Sequence, residues 1–185
     1  VDNASNLRFI LIGIPITYYV IRLTWNWLKT WPGLEKEDFR YINLYNTFGK
    51  FKWFINFFGI HLFPTIIVNI CLFPLYFAIS INDQPVGLID WFFCIFTTLA
   101  VLLEHVSDEQ MHKFKSDRNN ASLTMNKGLW KYSRHPNYLG EILFWFGLFG
   151  FSLSQSLNNL WLIIFPLSMF AMFIFASIPM MDNRS

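Results

Sequence analysis

Charge is what this sequence has least of. Only 14% of its 185 residues are Asp, Glu, Lys or Arg, whereas 54% are hydrophobic and 20% aromatic, with 22 Phe and 8 Trp. A water-soluble domain carries about 25% charged residues, so the chain has too few polar groups to cover a surface facing water. Soluble enzyme domains, disordered chains and collagen-like chains are thereby excluded. A net charge of +2 gives no argument for nucleic acid as a partner. Cys71 and Cys94 are the two cysteines; both sit in apolar stretches and read as reduced packing residues rather than a disulfide. No GxGxxG, GxxxxGK[ST], HExxH or GxSxG occurs, so any nucleotide would be held without a Rossmann fold.

Apolar sequence, by contrast, comes in long blocks: about 7–28, 53–80, 86–106, 138–153 and 160–178. Crossing a bilayer takes about 20 residues, so the fourth block is marginal and the others ample. In hydrocarbon the backbone must satisfy its own hydrogen bonds, and the blocks therefore predict α-helices. The expected fold is an all-α, multi-pass transmembrane helix bundle of about five spans, one integral membrane domain over residues 1–185 with the lipid bilayer as its solvent. Pro15, Pro64, Pro74 and Pro166 predict kinks.

The loops after the first and third blocks are basic, with Lys29, Lys36, Arg40, Lys50 and Lys52 in one and Lys113, Lys115, Arg118, Lys127, Lys131 and Arg134 in the other. The loops after the second and fourth blocks carry no Lys or Arg. The bias of basic loops towards the cytoplasm puts both of these, and the C-terminus, on that side and leaves Arg8 opposite. The expected location is the endoplasmic reticulum for a eukaryotic source and the plasma membrane for a bacterial one. No cleavable signal pattern precedes the first block, and a chain running from Val1 to Ser185 reads as a piece of a longer protein.

Ionisable groups inside a span cost at least about 2.5 kcal/mol each, which singles out Arg22, Glu104, Asp108 and Glu141. Tyr19, Arg22 and Asn26 recur at helical spacing as a polar stripe, to be turned into the bundle unless Arg22 snorkels to the interface. The run EHVSDEQMHKFK contains Glu104, His105, Asp108 and His112, a conceivable metal set. With His61 and His135 the only other histidines, no metal is expected there.

The most informative stretch is GLWKYSRHPNYLGE, residues 128–141, the end of a motif core over 104–141. Pro136 suits the first turn of a helix, because the N–H it lacks would be unpaired there. Arg134 and His135 then sit at a helix N-terminus, which favours an anion. Asn137 and Glu141 are four apart and project from one face. Cations outside and hydrogen-bonding groups just inside suit a ligand with phosphates at the surface and an amide or polar ring below.

This stretch, preceded by the helix end Asp108-x-Gln110, resembles the C-terminal domain of the steroid 5-alpha-reductase family, in particular its DUF1295 branch, over about residues 19–184. The resemblance implies a membrane oxidoreductase that binds NADPH at its cytoplasmic helix ends and reduces a conjugated carbon–carbon double bond of an apolar lipid or steroid-like substrate. It implies cofactor-binding roles for Asp108, Asn137 and Glu141, with Arg134, His135 and Tyr138 around them. Lys113 and Lys115 are added as phosphate partners, and Asp182 and Arg184 as the start of a C-terminal cofactor segment. It further implies that Tyr19 and Arg22 are the catalytic pair, Tyr19 polarising the substrate carbonyl and Arg22 orienting or acidifying it, while Glu141 and Asn137 hold the nicotinamide amide. Two rivals remain open: an S-adenosylmethionine-dependent methyltransferase related to isoprenylcysteine carboxyl methyltransferases, which share Arg-His-Pro-x-Tyr, and a non-catalytic sterol-binding protein.

Overall fold

The computed structural model describes residues 3–31, 33, 47, 49–80, 84–120 and 123–179. Among them the chain is helical and contains no strand. The long segments are α1 (Asn3–Thr30), α2 (Gly49–Ser80), α3 (Leu88–Ser116), α4 (Pro136–Leu153) and α5 (Leu157–Phe175). They fall on the five apolar blocks. Four of them, α1, α2, α3 and α5, are long and apolar enough to cross a membrane. The fourth block is again the exception: α4 has 18 residues and starts with the polar PNYLGE turn, yet more than half of it is buried.

The outside of this bundle is the wrong surface for water and the right one for lipid. Ile10, Ile14 and Ile21 on α1 and Phe92, Ile95 and Leu99 on α3 are all about half exposed, part of a continuous apolar coat. Polar side chains are turned inward instead: Arg8, Arg22, Asp90, Thr97, Glu104 and Ser107 are buried. The protein is an integral membrane protein, and polar contacts between its helices take over much of the work that apolar burial does in water.

The closest packing lies between α3 and α4, which have the most extensive interface in the bundle. Glycines on α4 permit it. A Cβ on Gly147 would come within 2.1 Å of Thr97 Oγ1, and one on Gly140 within 2.8 Å of Glu104 Cβ and 2.9 Å of the Ala100 carbonyl oxygen. Removing the side chain brings the two backbones together and sets Glu104 against the first turns of α4.

Of the four prolines expected to kink helices, three stand at changes of helix type. Pro64 follows the π-helical turn Asn56–Leu62, Pro74 opens Phe73–Ser80 after a break at Leu72, and Pro166 follows the 3-10 run Leu157–Ile163. Each lies within the first three residues of a new α-helical run, so the bond its missing N–H cannot make falls at a change of hydrogen-bond pattern. Pro15 is the exception, inside an unbroken α1. Cys71 and Cys94 are buried and unbridged; the Cys71 thiol donates to the Phe165 carbonyl across the α2–α5 contact at 3.1 Å.

Candidate functional site

The buried polar groups gather at two places, one at each end of the bundle. At the first, Arg8 of α1 meets Asp90 in the first turn of α3. Arg8 Nε donates to Asp90 Oδ1 at 2.9 Å and its Nη2 to the Gln84 carbonyl at 2.9 Å. Asp90 also accepts from the Gly87 N–H at 2.9 Å, capping α3, and from Ser154 Oγ past the end of α4 at 2.7 Å. This pair answers the charge that looked misplaced in the sequence: Arg8 is held in place by an acid 82 residues away.

The second place lies between the C-terminal halves of α1 and α3 and the start of α4. Arg22 sits at its centre, pairing with Glu104 and, at 2.7 Å, with Asp108 Oδ2. Asn26 Nδ2 donates to the same Asp108 oxygen at 3.1 Å, and Asn137 Nδ2 to Asp108 Oδ1 at 3.3 Å. One turn deeper, Glu141 Oε1 accepts from the Tyr19 hydroxyl at 2.8 Å and from Trp145 Nε1 at 2.8 Å. The Tyr19 ring stacks on Phe144 at 4.2 Å. Glu104 lies against the Glu141 carboxyl, and its Oε2 meets no hydrogen-bond donor. Asn137 Oδ1 is likewise buried without a partner.

Above this network opens a cleft of about 570 Å³, within the usual range for a small-molecule site. Asp108 and Asn137 form part of its floor, Lys115, Arg134 and His135 bring basic groups, and Asn26, His112, Trp130 and Tyr138 complete much of the wall. The 128–131 turn builds its far side. Gly128 has a φ of +59°, and a Cβ there would come within 2.4 Å of Gln110 Oε1. With glycine in place, Gln110 Oε1 accepts the Leu129 N–H at 2.9 Å while Trp130 Nε1 reaches the Ser107 carbonyl at 3.0 Å. The turn is thereby docked on α3, and the next residues deliver Arg134 and His135 to Pro136 at the head of α4. The His135 ring stacks on Tyr138, which packs on Phe173 of α5.

A family model described as "Protein of unknown function (DUF1295)" matches residues 1–185. The chain belongs to the DUF1295 family. The DUF1295 chain is also similar to an uncharacterized protein of Schizosaccharomyces pombe, with 27% identity over 181 residues, covering 85% of this chain and 52% of the relative. It thus spans about half the length of that relative. No solved structure matches it.

Most of the residues singled out in the DUF1295 chain converge, with three differences. Asp108, Lys115, Arg134, His135, Asn137 and Tyr138 line one cleft. Lys113 does not: it is exposed on another face of α3, because two residues along a helix is more than half a turn. Glu141 is set below the cleft, its Oε1 already accepting two hydrogen bonds. Arg22 makes no hydrogen bond to Tyr19, its guanidinium standing 6.0 Å from the ring centre, so the tyrosine is oriented by Glu141 and Phe144. Asp182 and Arg184 lie outside the described residues. Asp90 and Trp145 were not foreseen; a tryptophan four residues after Glu141 was the available signal for the latter.

Proposed function

We propose that this DUF1295 protein is a membrane oxidoreductase that binds NADPH at the cleft and reduces a conjugated carbon–carbon double bond of an apolar lipid or steroid-like substrate. The observation that carries the reading is the connection between two kinds of chemistry: a basic cleft at the membrane surface, and, through Asn137 and Asp108 to Arg22 and Glu104, a phenol hydroxyl inside the bundle.

The residues fit the cofactor. Lys115 and Arg134 offer charge-assisted bonds to phosphates. Asn137 Oδ1, buried and unpartnered, is the acceptor a carboxamide N–H requires, and it takes that role alone because Glu141 is engaged below. NADPH would supply the hydride. The protein's part is to hold the enone and stabilise the negative charge that develops on its carbonyl oxygen. Tyr19 is the donor for that oxygen, its hydroxyl turning from Glu141 to the substrate. Arg22 is a positioning residue that holds Glu104 and Asp108 in register. An apolar substrate enters between helices from the bilayer, and the basic loops that border the cleft face the cytoplasm.

A thermal-shift assay on the detergent-solubilised protein with NADPH, NADH and S-adenosylmethionine tests this, since a ligand that binds only the folded state raises the Tm. A rise with NADPH that Asn137→Ala abolishes is the expected result. A rise with S-adenosylmethionine alone would replace the reading with methyl transfer. NADPH binding without reduction of any enone would leave a non-catalytic binding protein.

A further inference from the structure

Glu104 is a buried acid that is only half satisfied. The residue is 5% exposed, Arg22 binds one carboxyl oxygen, and the other meets no donor while the carboxyl of Glu141 lies against it. Two ionised carboxylates in contact repel, and they attract only when one carries a hydrogen to donate to the other. The remaining neighbours do not relieve this. From α1 come Tyr19, which binds Glu141, and Arg22, whose charge is divided between Glu104 and Asp108. From α3 come Asp108, a further acid, and His105, which lies near Asp108 with a buried Nδ1 that meets no partner, and from α4 Trp145, whose N–H is spent on Glu141 Oε1. One arginine thus faces three carboxyls, and the balance of charge calls for a proton.

We propose that Glu104 and Glu141 share one buried proton and that this pair is the internal proton source for the Tyr19 hydroxyl. The inference deepens the reductase reading and rests on it for its role in turnover, whereas the shared proton itself does not. Saturating an enone takes a hydride on the β-carbon and a proton overall. The Tyr19 O–H bond breaks as its proton passes to the carbonyl oxygen, giving an enol that tautomerises to the saturated ketone. The Glu104–Glu141 proton then passes to the tyrosinate and restores the phenol. The pair, now doubly ionised beside Arg22, takes a proton from water in the cleft by way of Asp108. Charge and atoms balance over the cycle: the dinucleotide gives one hydride and water gives one proton. Glu104 touches no substrate in this scheme; it is a positioning residue that keeps Glu141 supplied.

Infrared spectroscopy of the full chain in lipid nanodiscs, without any cofactor, reads the shared proton directly. A protonated carboxyl absorbs above the amide band and shifts to lower frequency in D2O. The wild type should show such a band, and both Glu104→Gln and Glu141→Gln should remove it, because either amide leaves the surviving acid with a donor and no reason to hold a proton. Absence of the band in the wild type, or its survival in either variant, overturns the proposal. Asp108→Asn should leave the band in place and controls for the third acid; loss of the band there would move the proton to Asp108 and likewise overturn it. Should the variants fold poorly, the wild-type band and its D2O shift still decide. Failure of NADPH to raise the Tm with the band present would strike the reductase reading alone.

Discussion

The two buried ionic clusters use the same kinds of side chain to opposite ends. Around Arg8 and Asp90 the acid receives the arginine, a backbone N–H and a serine hydroxyl. Around Arg22 the arginine is stretched between two acids, a third lies next to them, and unpaired atoms remain on Glu104 and Asn137 beneath an open cleft. A closed and satisfied network fastens helices together. An open and unsatisfied one retains capacity for a ligand or a proton, at some cost in stability.

The sharpest way to break this comparison is to remove one member of the closed pair. Arg8→Met or Asp90→Leu alone should cost about 3–5 kcal/mol in unfolding from detergent, because an uncompensated buried charge is left behind. The double variant should recover much of that loss, and fully additive losses would show that the pair is no unit. Next in size, Gly147→Ala should cost about 1–3 kcal/mol by forcing a methyl group into Thr97, measured in the same assay. At the open cluster Asn137→Ala should lower stability by about 1 kcal/mol or less, since it removes one long hydrogen bond at 3.3 Å, yet abolish the rise in Tm with NADPH. A large stability loss with binding intact would reverse the roles assigned to the two ends. Smallest of all, Lys29→Ala removes a partly exposed pair with Glu109 and should shift stability by less than about 1 kcal/mol, the difference fading at high salt.

Much of the open cluster was legible in the sequence because it obeys helical spacing. Tyr19, Arg22 and Asn26 share a face by position alone, and all three reach the α3–α4 side of the bundle. Asn137 and Glu141 also share a face, but position alone says nothing about depth; a single turn separates a cleft-lining amide from an acid already committed to Tyr19. The closed cluster was not legible. Its members sit 82 residues apart at block ends, where a lone charge is ordinarily explained by the membrane interface, and only the fold pairs them. The five blocks announced the helices, whereas the changes among 3-10, α and π turns in α2 and α5 follow from where each proline meets its neighbours, which no periodicity encodes.

Gly140 has no functional group, makes no contact with the cleft and would pass unnoticed in any inventory of chemistry. Yet even a methyl group there would push directly on the Cβ of Glu104. In a mutational scan scored by the proposed reduction, substitutions at this position should therefore group with those of the acids and not with those of the packing residues around it: a defect there would be written as the gain of a side chain rather than the loss of one.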